Sequence, residues 1–299
     1  MIAAASPSAP RLRRVLANKI KNGFTLLAAT AALAAGVCGV AAPEAAAASN
    51  ATPNYEVKFN LVAGTLDSTG APTAEVRSAF GLGSSALAVS YEYFDTNALD
   101  LHNAGWDVRF RHKDGSDFDI NYKKRYPVTN GDINAALTTA NQQGFDSSSN
   151  YDCQVDWTTD KQVVSFANKK SSSASGYSGT TLPTETDARN IAVAQIPGKL
   201  KDWSASGWGK TELKSSRAHG PVTSKEWDGT WQGTDTSIEV VPVKAASGTG
   251  TETIIELSFK VDTLNQATTL RNQALSTLQS KGWLAGAAVL KTDLILSRY

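Results

Sequence analysis

The chain has 299 residues, 41% hydrophobic and 19% charged, with 29 Lys and Arg against 28 Asp and Glu for a formal net charge of +1. That apolar share supports a folded core and excludes a disordered or collagen-like chain, while two cysteines are too few for a disulfide-stapled mini-domain. Near-neutral charge also speaks against a protein that coats a nucleic-acid duplex.

Residues 1–48 read as a secretory signal peptide. Arg11, Arg13, Arg14, Lys19 and Lys21 form a basic region, Phe24 to Ala42 is an apolar run, and Ala45 to Ala48 suit cleavage near Ala48–Ser49. A transmembrane anchor is the competing reading, but the run is mostly weakly hydrophobic alanine. Cleavage would leave residues 49–299 as a single secreted domain with no later membrane-spanning stretch. Cys153 would then be its one cysteine, so no intrachain disulfide can form.

From there the chain is dominated by period-two alternation, the mark of strands with two different faces. Tyr55, Val57, Phe59 and Leu61 alternate with Asn54, Glu56, Lys58 and Asn60. A short helix is predicted over 72–80, then strands over 86–95, around Val108 to Arg111, and over 117–123, where Phe118, Ile120 and Tyr122 alternate with Asp119, Asn121 and Lys123. A helix over 131–143 precedes strands over 151–157 and 161–168, and a flexible Ser/Gly-rich loop near 171–185. A helix over 186–196 follows, then strands over 209–217 and 236–243. In the next strand Ile255, Leu257 and Phe259 alternate with Glu256, Ser258 and Lys260. The clearest helix spans 263–281, with Asp262 or Thr263 as N-cap and Gly282 as its stop, and a last strand is predicted over 291–298. Roughly ten strands with few helices make a mainly β, α+β domain.

The polar faces of these strands carry charges of both signs rather than Ser and Thr. If the strands close into a barrel, one choice of face gathers Glu56, Lys58, Arg109, Arg111, Lys123, Glu239, Glu256 and Lys260 into a wet lumen; the other leaves them facing solvent around an apolar filling. A charged lumen would need a polyanion and a cation to balance it, with arginines gripping phosphate oxygens and carboxylates holding a hard divalent ion.

Several segments agree in order and spacing with one known family. Asn54-Tyr55-Glu56-Val57-Lys58 resembles the Glu-x-Glu-x-Lys strand that opens the CYTH family, the triphosphate tunnel metalloenzymes. Tyr91-Glu92-Tyr93-Phe94-Asp95-Thr96 is similar to its Tyr-x-Asp-Thr strand, Arg109-Phe110-Arg111 to its Arg-x-Arg, and Lys123 to a strand-ending lysine. Ile238-Glu239-Val240 and Ile255-Glu256-Leu257-Ser258 resemble its later acidic strands, and Lys291 a basic residue of its last strand. The resemblance implies an antiparallel, closed or nearly closed barrel of about eight or more strands around a tunnel. It implies a triphosphatase that uses Mg²⁺ or Mn²⁺, and the leader makes this a secreted triphosphate or polyphosphate phosphohydrolase. Glu56, Glu239 and Glu256 would hold metal and so carry the catalysis; Lys58, Arg109, Arg111, Lys123, Lys260 and Lys291 would bind a triphosphate or short polyphosphate. Two departures stand out: Asn54 and Ser258 occupy positions where the family pattern has acids, which weakens metal binding and keeps a non-catalytic polyphosphate-binding module as the alternative.

Other signals carry less. Gly81-Leu82-Gly83-Ser84-Ser85-Ala86 matches a dinucleotide-binding pattern but lacks the strand before and helix after it. His102, His112 and His219 have no metal-ligand spacing, and Cys153 shares the apolar parity of Tyr151, Val155 and Trp157. Trp203, Trp208, Trp227 and Trp231 cluster and keep a glycan-binding surface as a third reading.

Overall fold

The computed structural model describes residues 48–286 and 290–299; the leader assigned to residues 1–48 falls, but for Ala48, outside them. Nine strands form a closed barrel: β1 (Asn54–Asn60), β2 (Leu87–Asp95), β3 (Trp106–Lys113), β4 (Phe118–Pro127), β5 (Asp152–Trp157), β6 (Gln162–Ser172), β7 (Arg217–Trp231), β8 (Thr234–Lys244) and β9 (Thr251–Val261). Around the barrel they run β1-β5-β6-β4-β3-β2-β7-β8-β9, and β9 pairs back to β1. Every pair is antiparallel except β1·β5, so the sheet is mixed rather than purely antiparallel.

Alternation sorts the two faces in an inside-out manner. Val57, Phe59, Val108, Phe110, Ile120, Val155, Leu257 and Phe259 point away from the lumen into one buried core. Helices α1 (Ala74–Ala79), α3 (Ile133–Gln142), α4 (Glu185–Ala194) and α7 (Leu264–Ser280) cover that outer surface, contributing Val76, Ala136, Leu137, Ala188, Ala192, Ala267, Ala274 and Leu278. Burying each large side chain stabilises the wrap by roughly 1.5–3 kcal/mol, and because helices supply the apolar cover the interior is free to be polar. The helices begin where side-chain caps sit: Thr73, Asp132, Thr184 and Thr263 each accept the backbone N–H three residues on. Gly282, at φ 65°, ends α7 as expected.

Short helices α2 (Asp100–Asn103), α5 (Gly198–Lys201), α6 (Trp208–Ser215) and α8 (Lys291–Arg298) complete the α-helices among the described residues. Two of these replace predicted strands. In α6 the buried residues are Gly209 and Leu213, and in α8 they are Thr292, Ile295 and Leu296, a spacing of three and four that satisfies a helix and only mimics alternation over so few residues. The longest strand, β7, was not anticipated: its inward face carries Ser224 and Glu226 and its course includes Gly220, Pro221 and Gly229, so it offers no apolar rhythm.

One end of the barrel is sealed. Val89, Tyr91, Val222, Val241, Val243 and Ile254 share the inward parity of Glu239 and Glu256, and Ile295 and Leu296 of α8 pack onto them. The lumen is thus apolar at this end and charged beyond it. In the tryptophan cluster Trp203, Trp208 and Trp231 are half-buried. Trp227 is buried, Trp203 meets Trp106 at 5.6 Å, Trp231 lies 5.5 and 5.4 Å from Phe80 and Phe259, and Trp208 packs against the core.

Candidate functional site

Because strand side chains alternate, a polar residue at every second position of β1, β3, β4, β5, β8 and β9 projects into the same lumen. The result is a cavity of about 750 Å³ lined by all nine predicted residues: Glu56, Lys58, Arg109, Arg111, Lys123, Glu239, Glu256, Lys260 and Lys291. Lys291 arrives from the start of α8 rather than from a strand. Lys260 is the outlier, with its side chain 60% exposed and 3.6 Å from Glu56. Asn54 and Ser258, the two neutral departures, line the same wall.

Three groupings divide the cavity. The first is a network around Asp156, a residue missed in the sequence. Its carboxylate contacts Lys58 at 3.4 Å, Lys123 at 3.3 Å and Arg125 at 3.3 Å, and accepts from Gln154 at 2.6 Å. Lys58 also meets Glu56 at 2.8 Å, and Arg125 pairs with buried Asp107. Burial alone would raise the Glu56 carboxyl, but Lys58, with Lys260 and Lys123, holds it down at about 2 against the opposing charge of Asp156. Burial depresses the Lys123 ammonium to about 8, and the neighbouring Arg125 and Lys58 outweigh part of what Asp156 restores. Lys123 is therefore a cation short of negative charge.

The second grouping is the arginine pair. Arg109 and Arg111 stand two residues apart on β3 and share one acid, Asp119, each at 3.5 Å. At that distance these are ion contacts and not hydrogen bonds, and both Nε–H groups are buried without an acceptor. The charge of Arg109 is the main cause of the lowered Arg111 guanidinium. Two guanidiniums that repel each other and still hold unspent donors are arranged for an anion with more than one oxygen.

The third is the acid pair. Glu239 and Glu256 face each other across β8·β9, and Lys291 Nζ bonds both, to Glu239 Oε2 and, at 2.8 Å, to Glu256 Oε1. Ser224 Oγ donates to Glu239 at 2.6 Å. Burial pushes the Glu239 carboxyl up, and Lys291 with Ser224 overcomes it to hold the group at about 2.

The predicted metal set does not fit a resident divalent ion. Each of Glu56, Glu239 and Glu256 is bonded to a lysine, and no cluster of three metal-ligating side chains occurs among the described residues. The missed residues had a signal: Gln154 and Asp156 occupy the parity opposite Cys153 and Val155, and Arg125 lies two residues beyond Lys123. Asp107, Asp119 and Arg125 obey the same parity rule.

Fold and lining together define a class: a closed β-barrel, apolar outside under its helices, plugged at one end and charged within. No family model and no curated protein matches the chain. Solved structures similar to it include a protein from Hippeastrum assigned as an adenylyl cyclase with a dominant triphosphatase activity, at 14% identity over 81% of this chain and 94% of that one, TM-score 0.43. Another, assigned as an adenylate cyclase from Bacillus halodurans, matches at 12% identity over 81% and 96%, TM-score 0.47. A protein from Pyrococcus horikoshii matches at 12% over 82% and 100%, TM-score 0.41. The barrel itself rests on the strand pairing described above.

Proposed function

We propose that the lumen binds a linear triphosphate or short polyphosphate and that the chain is a phosphohydrolase acting on it. The observation that carries this reading is the Arg109–Arg111 pair, with its two buried, unaccepted Nε–H groups and a single shared acid. A chain of phosphates offers several non-bridging oxygens a few ångströms apart, which suits two guanidiniums followed by Lys58, Lys123 and Lys291 along the wall. Hydrolysis of a phosphoanhydride runs through a loose transition state whose need is positioning and stabilisation of charge on the oxygens, and this set of cations supplies both. Mg²⁺ or Mn²⁺ enters as the counter-ion of the polyphosphate. The lining needs one, because its basic and acidic side chains nearly balance.

Phosphate release from tripolyphosphate with added Mg²⁺ tests the reading, and loss of release in Arg109→Ala locates it in the lumen. No release from tripolyphosphate, ATP or thiamine triphosphate, across pH and metals, would refute hydrolysis. One observation favours a second reading, a polyphosphate-binding module: each predicted catalytic acid is already bonded to a cation and none is free to activate water. Calorimetric binding of tripolyphosphate without phosphate release would establish it. We place this activity outside the cell on the strength of the basic and apolar leader; export of the full chain with loss of the first 48 residues would test that.

A further inference from the structure

Two carboxylates facing each other across neighbouring strands repel unless a cation lies between them, and such a pair is also a natural start for a hard divalent site. Glu239 and Glu256 form that pair. The cation that meets them is the ammonium of Lys291, bonded to both. Its position is set from behind: Lys291 is the first residue of α8, whose Ile295 and Leu296 are buried in the apolar plug, and Thr292 Oγ1 donates to the Tyr93 hydroxyl at 3.1 Å. The remaining Glu239 oxygen is taken by Ser224. Of the neighbouring wall, Ser258 shares a hydrogen bond with Ser237 at 3.1 Å, and Glu226, in register with Glu239 across β7·β8, is already paired with Lys113 at 2.9 Å.

The geometry points to Lys291 as a tethered substitute for a metal: its ammonium takes the place of a resident divalent ion between Glu239 and Glu256, and the barrel holds no such ion of its own there. A divalent ion would have to displace an ammonium that is covalently anchored and half-buried with its two partners, at a site whose next acid, Glu226, is engaged by Lys113. The inference deepens the polyphosphate reading by making any metal dependence a property of the substrate complex. The assignment of Lys291 itself stands without that reading.

Mn²⁺ alone is the probe, with no phosphate present. Wild type, Glu239→Gln, Lys291→Met and the double variant Lys291→Met/Glu239→Gln are titrated by electron paramagnetic resonance and calorimetry, with circular dichroism to establish folding. Wild type is expected to show no Mn²⁺ site at this pair tighter than about 1 mM, because the ammonium fills it. Lys291→Met is expected to gain a site at least about tenfold tighter and a melting temperature that rises with Mn²⁺, both lost in the double variant. A wild-type Mn²⁺ site below about 100 μM that Glu239→Gln abolishes would overturn the inference, as would a folded Lys291→Met that gains nothing. If Lys291→Met does not fold, the wild-type and Glu239→Gln titrations decide alone. Failure of tripolyphosphate to bind would sink the hydrolase reading and leave these titrations untouched.

Discussion

Glu56 and Asp156 are register partners across β1·β5, the one parallel pair of the barrel, and Lys58 bridges their carboxylates at 2.8 and 3.4 Å. Gln154 donates to both, at 2.8 and 2.6 Å. Two adjacent acids are tolerated because a lysine and an amide are shared between them, and the same arrangement holds Lys58 upright in the lumen.

Asp156→Asn keeps the shape of that junction and removes its charge. Lys123 is left with no acid in contact, since Lys58 retains Glu56 and Arg125 retains Asp107. Breaking a buried charge network from one side costs about 3–5 kcal/mol, so the melting temperature is expected to fall by roughly 10 °C. Thermal unfolding followed by circular dichroism checks it, and an unchanged melting temperature would show that Asp156 is not the hub described.

The arginine pair behaves in the opposite way. Arg111→Ala removes a repulsion, so stability is expected to hold or rise, while tripolyphosphate affinity drops about 10- to 100-fold as charge-assisted contacts are lost. Arg109→Lys is expected to recover little of the loss in Arg109→Ala, because an ammonium cannot present two parallel donors. Calorimetry with tripolyphosphate, paired with melting curves, separates the two effects.

Lys123 gives the binding a pH dependence. Its ammonium is held at about 8 in the free barrel by burial, and a bound phosphate would hold it charged, so binding above pH 8 requires uptake of a proton. The wild-type affinity relative to Lys123→Met is therefore constant below pH 8 and declines by up to about tenfold per pH unit above it. A ratio that does not change between pH 7 and 9.5 would remove Lys123 from the site.

At the acid end, Glu56 and Glu239 sit at about 2 against an ordinary value of 4.5. A depressed carboxyl stabilises the fold above the unfolded value and loses that contribution as pH falls through the folded one. Stability is thus expected to fall between about pH 4.5 and pH 2, less steeply in Glu239→Gln than in wild type. Urea unfolding across this range measures the slope.

The sequence alone determined the strands that alternate cleanly, β1, β4 and β9 among them, and the capped helix α7, because local periodicity and caps are written in neighbouring residues. It also put Glu56, Lys58, Arg109, Arg111, Glu239 and Glu256 on shared parities. It could not say whether that parity faces in or out, since alternation is symmetric between the two faces. Only the closed barrel and its helical cover decided that. Tertiary structure also decided the parallel β1·β5 pair that sets Asp156 beside Glu56, the polar strand β7 that locally looks like loop, and the helix α8 that delivers Lys291 to the acid pair. Each depends on a contact between residues far apart in the chain, where no local pattern constrains the outcome.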